Sequence, residues 1–173
     1  MILPFSTQIN GKPTYFVEKI LKSFDGKDCT EDDELMLKEA IYLGFLSPYK
    51  YDEVKPKLHT IREDKNDRWK PGVMIDFFIN ARQKNMFRFA PRIPVVSTQK
   101  INITWLTKYM VFVTIDNKPI GDAIWDRGFI CMSCDTRLRE LAKNDGFESV
   151  EDFFGYFNKD FTGKIIHWTD LRY

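Results

Sequence analysis

Apolar residues at helical spacing predict two helices in the first third of the chain. Residues 15 to 24 carry apolar side chains three and four positions apart, and Thr14 before them can cap a helix. Thr30 and Asp33 have the spacing of a capping box before another run with helical spacing, which predicts the second helix. Residues 49 to 56 are then expected to form a linker.

Alternation of apolar and polar residues, which is typical of strands, dominates the middle of the chain. Residues 74 to 80 and 85 to 90 flank a polar connection and predict a hairpin. Two further strands are predicted at residues 95 to 106 and 110 to 116, and a brief one at residues 2 to 5. With the last strand of the chain, about five to six mostly antiparallel strands joined by short loops predict a closed or nearly closed β-barrel.

The helical pattern returns near the end of the chain. Residues 136 to 144 form one predicted helix, which Gly146 can terminate. Ser149 and Asp152 have the spacing of a second capping box and predict another helix, and residues 164 to 171 are the predicted final strand. The pattern therefore predicts an α+β fold, in a single domain, because 173 residues suffice for one well-buried core and are few for two.

Residues 57 to 62 do not have the pattern of a core strand, because polar side chains fall on both faces. Alternation places Thr60 and Arg62 on one face of an extended strand, and Lys57 and His59 on the other. A strand of this kind can line a groove with its cations instead of filling a core.

Charge is unevenly distributed, although the net charge is only +1. Residues 55 to 92 hold ten Lys/Arg against four Asp/Glu, whereas residues 23 to 54 hold three against nine. One interpretation is a cationic barrel face beside an acidic helical excursion, and the other is a mixed, solvated surface. The net charge predicts no general attraction to nucleic acid or to membranes.

The composition predicts a soluble, cytoplasmic protein. Aromatic residues make up 15% of the chain, a content that disordered chains lack. No apolar run approaches the ~20 residues of a membrane span, and the first residues do not have the features of a signal peptide. Three cysteines, an odd number, favour a reducing compartment.

Several short motifs occur in a characteristic order. Lys57 and Arg62 precede a Trp-Lys-Pro-Gly turn that starts at Trp69. The other motifs lie at residues 1 to 5, 15 to 20, 145 to 147 and 165 to 168. Together these motifs resemble the ASCH domain family, a branch of the PUA-like β-barrels. The resemblance implies a PUA-like barrel with flanking helices, in which residues 25 to 54 are an inserted helical excursion.

The resemblance also implies catalytic residues. In ASCH-related amidohydrolases that act on N4-acetylcytidine, a Lys and a Thr of the Lys-x-x-Thr-x-Arg segment work with a late Glu. Lys57 and Thr60 match by position, and Asp145 is the nearest match to the acid. A lysine acts as a nucleophile or base when burial or a nearby cation lowers its pKa, and Arg62 is the available cation. The chain departs from the family pattern at Lys55, where a glycine is usual, and in having Asp instead of Glu.

The second candidate site is a cationic cleft for RNA or a nucleotide. Cations hold phosphates and aromatic rings stack on bases, and basic and aromatic residues interleave after residue 57. The resemblance adds that PUA-like relatives commonly bind RNA. The predicted lining residues are Lys57, His59, Thr60, Arg62, Arg68, Trp69 and Lys70. The alternative is that the aromatic residues fill the core and the cations form a solvated rim.

Three classes of function therefore stay open. The primary expectation is that the chain binds RNA or a nucleoside or nucleotide ligand in the cationic cleft. The alternatives are hydrolysis of an acylated cytidine or of RNA, and contact with a protein partner through residues 25 to 54. No cofactor is expected. Cys131 and Cys134 have the spacing of a zinc knuckle, but the sequence has no second pair.

Overall fold

The structure is a computed structural model that describes residues 1 to 25, 30 to 126, 129 to 130 and 134 to 173. The helices of the described residues are α1 (Phe16–Lys22), α2 (Glu31–Tyr42), α3 (Pro48–Glu53), α4 (Thr136–Asn144) and α5 (Val150–Tyr156). None of these helices combines the length and the apolar character needed to cross a membrane.

The strands are short near the start of the chain and longer towards the end. They are β1 (Ile2–Phe5), β2 (Gln8–Ile9), β3 (Lys12–Pro13), β4 (His59–Arg62), β5 (Met74–Ile79), β6 (Phe87–Arg88), β7 (Ile93–Pro94), β8 (Ser97–Thr107), β9 (Met110–Ile115), β10 (Lys118–Asp126), β11 (Phe129–Ile130) and β12 (Phe161–His167). The predicted α+β class is therefore confirmed.

The described strands form two sheets and a separate hairpin. In the smaller sheet, β5 pairs parallel with β1 and antiparallel with β6 and β7. The larger sheet is antiparallel and has the order β11-β10-β9-β8-β12-β4, and β2 pairs with β3. Since β11 and β4 stand at opposite ends of the larger sheet, the described strands do not form a closed barrel, and the predicted PUA-like barrel is not confirmed.

Two hydrophobic cores lie on opposite faces of β12. Ile165 packs in one core with Ile61 and with apolar residues of α4 and α5. Ile166 and Trp168 pack in the other core with residues of β1, β5 and α1. Because successive side chains of a strand point to opposite faces, β12 is buried on both sides. It holds β4 at the edge of the sheet through antiparallel pairing.

The predicted helices occur, with one difference in how α1 begins. α4 has the predicted bounds, and α2 begins after Thr30, which forms a capping box with Asp33. The residue before α1 is Tyr15, whose φ of 52° is left-handed, and the N-cap is therefore not Thr14. A bulky residue in this conformation is unusual, because its Cβ crowds the backbone.

Six elements of the described residues were not predicted: α3, β10 and the two-residue strands β2, β3, β7 and β11. α3 begins with Pro48, has six residues and buries none of them, so it has no apolar face that spacing can reveal. β10 follows a turn in which Asp116 and Asn117 have positive φ. Its register shifts between Pro119 and Gly121, which interrupts the alternation expected of a strand.

Candidate functional site

Lys57 lies just before β4, and its side chain is only 1% exposed. The backbone N–H of Lys57 donates to the carbonyl of Lys19 at 2.8 Å, and the N–H of Leu58 donates to the carbonyl of Asn144 at 2.8 Å. These two bonds hold the chain between α1 and the end of α4. The Lys57 amine donates to the backbone carbonyl of Asp145, and its Nζ lies 2.8 Å from Asp145 Oδ1.

Asp145 ends α4 and is buried. Its Oδ1 accepts a hydrogen bond from the N–H of Ile61 at 3.1 Å, so the carboxylate occupies the edge of β4 where a further strand would pair. The Nδ1 of His59 lies 3.5 Å from the same oxygen. Gly146 follows with φ of 87°, and a Cβ at this position would lie 2.9 Å from Lys57 Cδ. A glycine is therefore required for the turn that brings Asp145 to Lys57.

A hollow of about 30 Å³ lies beside the edge of β4. The residues that line it are Lys57, Thr60, Ile61, Arg62 and Asp145, together with Ser6, Ile9, Phe16, Phe147, Tyr156 and Phe157. We predicted Lys57 and Thr60 on opposite faces, but Lys57 precedes the strand, and side chains from either face can reach a cavity at its edge. The hollow therefore has room for at least one water molecule.

Burial and charge set the protonation of the Lys57–Asp145 pair. Burial lowers the pKa of Lys57 to about 8; Asp145 opposes this shift, and the cations of Arg62 and Lys19 add to it. Burial by itself would raise the pKa of Asp145, but the charge of Lys57 and the contact with His59 hold it below its ordinary value. At neutral pH the pair is therefore ionic, with about a tenth of Lys57 in the neutral form.

Arg62 brings a second cation to the hollow. Its Nη2 donates to the carbonyl of Pro4 at 2.8 Å, and its guanidinium carbon lies 5.2 Å from the centroid of the Phe5 ring. Its Nε is buried and has no hydrogen-bond partner among the described residues. Arg62 therefore keeps one N–H group that can donate to an oxygen of a bound molecule.

His59, one of the predicted ligand-binding residues, is fully buried and does not line the hollow. Its Nε2 is 2.7 Å from the hydroxyl of Tyr173, and its ring centroid is 5.3 Å from that of His167. Burial lowers the pKa of both histidines, that of His167 to about 3. His59 therefore lies behind Asp145 as a neutral imidazole.

Arg68, Trp69 and Lys70 do not join the hollow, contrary to the predicted common cleft. Trp69 is 5% exposed and packs in a hydrophobic core, so its ring is not available to stack on a base. The carboxylate of Asp64 accepts the backbone N–H groups of Arg68 and Trp69, both at 2.9 Å. Arg68 and Lys70 are exposed, and Lys70 lies 3.3 Å from Asp67. These residues form a turn that its own carboxylates stabilise.

Two larger cavities adjoin the hollow. One of about 130 Å³ shares Ile9, Phe16 and Phe147 with it. This cavity shares Lys19 and Glu148 with another of about 340 Å³. The charged residues that line the largest of the three are Lys19, Lys50, Lys55, Lys143, Glu53 and Glu148. The sequence analysis did not single out this lysine cavity, because its lysines come from separate segments of the chain.

The described residues contain no group of three His, Cys, Asp or Glu side chains arranged to hold a metal ion. Of the two cysteines with the spacing of a zinc knuckle, Cys134 belongs to the described residues and Cys131 lies outside them.

The site therefore consists of the buried Lys57–Asp145 pair, the Arg62 guanidinium and three hydroxyl-bearing residues, Ser6, Thr60 and Tyr156, around a small hollow, with the lysine cavity nearby. Lys57, Thr60, Arg62 and Asp145 line the same hollow, although Asp145 is distant in sequence. No protein-family model, curated protein or solved structure matches this chain.

Proposed function

We propose that this protein is an ASCH-type, PUA-like amidohydrolase that removes the acyl group from an acylated cytidine. The observation that carries the proposal is the burial of the Lys57–Asp145 pair at a hollow that Thr60 and Arg62 also line. The fold contributes by placing residues 57 to 62 at the edge of a sheet and the acid at the end of a helix. Perturbed ionisable groups in a cavity are typical of catalytic sites.

Lys57 is the general base of the proposed reaction. Its neutral form accepts a proton from a water molecule, or from the Thr60 hydroxyl, as the oxygen adds to the acyl carbonyl. The lysine then returns the proton to the leaving N4 nitrogen while the carbon–nitrogen bond breaks. With water as the nucleophile the products are the free cytidine and a carboxylic acid. With Thr60 as the nucleophile, the acyl group is first held as an ester of Thr60 while the cytidine leaves. One water molecule then hydrolyses this ester to give the same carboxylic acid.

Arg62 and Asp145 support this chemistry from two sides. The free Nε–H of Arg62 is the donor for the negative oxygen that forms when the carbonyl is attacked. Asp145 holds the Lys57 amine through Oδ1 and through its backbone carbonyl. Asp is one methylene shorter than the Glu of the family, and the direct contact of 2.8 Å compensates for the shorter reach.

The size of the hollow determines how a substrate must enter. At about 30 Å³ the hollow has room for a small acyl group at most, so the base belongs in the adjoining cavity of about 130 Å³. The β2–β3 hairpin covers the boundary, since Ile9 lines both cavities. An exposed ion pair between Lys12 and Asp152, at 3.1 Å, links the hairpin to α5. Outward movement of the hairpin would admit the substrate.

The test is hydrolysis of N4-acetylcytidine. The reaction is monitored through the change in absorbance that accompanies loss of the amide. We expect turnover that rises about tenfold per pH unit up to about pH 8, because neutral Lys57 is the active form. Lys57→Met should lower kcat at least 100-fold, and Thr60→Val should lower it also. The control is Lys70→Met, which changes an exposed lysine away from the hollow.

Circular dichroism will show whether each variant is folded. Because Lys57→Met leaves Asp145 without its partner, the double variant Lys57→Met/Asp145→Asn supplies a second protein without the base. Turnover by either folded variant at the wild-type rate, or absence of turnover by the wild type, would contradict the proposal.

A second candidate function, binding of RNA or a nucleotide, is favoured by the lysine cavity. Four lysines and two glutamates line it, and Tyr15 adds an aromatic ring. Among the described residues, Lys55 and Lys143 form no ion pair with a carboxylate, so their charges are available to phosphates. Aromatic rings beside cations are typical of proteins that bind single strands.

This binding is tested with a short single-stranded RNA over a range of salt concentrations. The affinity should fall steeply as salt rises, because lysines that meet phosphates release counterions. Lys55→Gln/Lys143→Gln should weaken binding and reduce the salt dependence. The matched control is Arg68→Gln/Lys70→Gln, which removes two cations from the predicted cleft. If the control variant weakens binding more than Lys55→Gln/Lys143→Gln does, the lysine cavity is not the RNA site. The same samples show on a gel whether the RNA is cut.

A further inference from the structure

Behind the hollow, a row of buried polar contacts runs from Asn144 to Lys57. The Nδ2 of Asn144 donates to the Tyr173 hydroxyl at 3.0 Å, and this hydroxyl lies 2.7 Å from His59 Nε2. On the other side of the imidazole, Nδ1 lies 3.5 Å from Asp145 Oδ1, which lies 2.8 Å from Lys57 Nζ. None of these contacts is used in the proposed reaction except the last.

The hydrogen-bond groups in this row determine which nitrogen of His59 carries the proton. The Asn144 amide nitrogen can only donate, so it occupies an acceptor position of the Tyr173 hydroxyl. The single proton of that hydroxyl is then directed to His59 Nε2, which must accept it. Burial raises the pKa of Tyr173 and lowers that of His59, so the phenol keeps its proton and the imidazole is neutral.

The remaining proton of His59 lies on Nδ1, which faces Asp145. A separation of 3.5 Å is too long for a normal hydrogen bond, and Nδ1 has no other partner in the described part of the chain. The N–H dipole nevertheless points its positive end at the carboxylate. With the other tautomer, a nitrogen lone pair would face the negative oxygen, and the proton of the Tyr173 hydroxyl would have no acceptor in this row.

We propose that Tyr173 and His59 are positioning residues that set the tautomer of the imidazole and thereby hold the Asp145 carboxylate toward Lys57. This proposal rests on the proposed function only for its effect on catalysis. The geometry itself is independent of any substrate, because neither His59 nor Tyr173 lines the hollow.

Tyr173 and His59 act on Lys57 through Asp145. The positive end of the His59 N–H dipole faces the same Oδ1 that the lysine contacts, so the carboxylate is a weaker acceptor for the ammonium than it would be alone. The charged groups that face Lys57 are Asp145, Arg62 from β4 and Lys19 from α1. Those that face His59 are Asp145 and Lys57, with His167 of β12 and the Tyr173 hydroxyl as further titratable neighbours. Loss of the Tyr173 hydroxyl should therefore raise the pKa of Lys57.

The experiment is ¹⁵N NMR of the full chain labelled on histidine, at pH 7.5. The chain contains two histidines, so the spectrum holds two imidazoles, and a His167→Gln sample assigns them. We expect His59 to show a protonated Nδ1 and an unprotonated Nε2. In Tyr173→Phe, the signals should move toward a mixture of both tautomers. The control is Tyr109→Phe, which removes an exposed phenol elsewhere and should leave the spectrum unchanged.

A second measurement follows the titration of Lys57 with ¹⁵N-labelled lysine. The midpoint for Lys57 should move to higher pH in Tyr173→Phe, and the pH at which hydrolysis reaches half of its maximum should move with it. A proton on Nε2 of His59 in the wild type would overturn the proposal, as would an unchanged Lys57 midpoint in a folded Tyr173→Phe protein. Absence of hydrolysis with the expected tautomer would contradict the proposed function and leave the positioning role supported.

Discussion

Two basic segments that follow each other in sequence have opposite environments in the structure. In the first, residues 57 to 62, Lys57 is buried against one carboxylate, Asp145, with a second cation nearby. In the second, residues 64 to 70, the cations are exposed, whereas the side chain of Asp64 is only 1% exposed. There, Lys164 is paired with both Asp64 and Asp67.

The difference shows that burial, and not the number of cations, produces a perturbed lysine. Burial lowers the pKa of Lys57, and one carboxylate is not enough to restore it. Burial also acts to lower the pKa of Lys164, but its hydrogen bonds with Asp67 and Asp64 outweigh this effect and raise it. The first segment therefore has a group suited to proton transfer, whereas the second has groups that stabilise a turn.

The largest expected effect is the removal of the buried carboxylate. Asp145→Asn should lower the free energy of unfolding by about 3–5 kcal/mol, because Lys57 is left as a buried cation without its counterion. The asparagine side-chain oxygen can still accept the N–H of Ile61. Urea unfolding at pH 7 measures the change.

The double variant Lys57→Met/Asp145→Asn is the control, since it removes both charges. It should recover most of the lost stability. Equal losses in the single and double variants would show that the ion pair does not account for the effect.

Acid should destabilise the protein through the histidines behind the first segment. Burial lowers the pKa of His59 and His167 in the folded state, whereas both titrate near pH 6.5 when unfolded. The unfolded chain therefore binds more protons below pH 6.5, and stability falls as the pH falls. Between pH 6.5 and 5, His167, with its pKa of about 3, should cost about 2 kcal/mol, and His59 should add to this loss.

Urea unfolding at pH 7, 6 and 5 measures this loss, and His167→Phe should make the loss of stability per pH unit smaller. Asp64 and Asp67 of the second segment have lowered pKa values and contribute stability that is lost only when the pH falls below about 4. A wild-type protein equally stable at pH 5 and pH 7 would contradict the neutral, buried state of the histidines.

A smaller effect is expected from loss of the Asp64 carboxylate in the second segment. Asp64→Ala should cost about 1–2 kcal/mol, because the backbone N–H groups of Arg68 and Trp69 lose their acceptor. Asp64→Asn keeps an acceptor oxygen and should cost less. Thermal unfolding of both variants measures the difference, and an alanine variant as stable as the wild type would exclude this role.

The smallest effect is expected at an exposed cation. Lys70→Ala should change stability by less than about 1 kcal/mol, because its contact with Asp67 is exposed to solvent and screened by salt. The same unfolding measurement in low and high salt checks this. A loss as large as that of Asp145→Asn would remove the distinction between the two segments.

Local patterns predicted the helices well. The capping residues before α2 and α5 lie three positions from their partners, so the hydrogen bonds they form depend on a few neighbouring residues. The bounds of α4 agree with the prediction for the same reason, since apolar spacing and the glycine after it mark both ends.

Long-range contacts account for what the pattern did not reveal. The position of β4 at a sheet edge depends on its pairing with β12. Trp69 is buried because the rest of the core surrounds it, and nothing in its own segment distinguishes a buried ring from an exposed one. The contact between Tyr173 and His59 joins residues far apart in sequence, so it had no local signal.

The pairing of β4 with β12 also determines when the hollow can exist. Arg62 stands opposite Lys164, so about 100 residues of chain separate the two strands. Closing a loop of this length is slow compared with forming a helix or a hairpin. During synthesis, a ribosome-bound chain that lacks β12 has no partner for β4, and Lys57 then stays hydrated with an ordinary pKa. The buried lysine with a lowered pKa is thus a late product of folding.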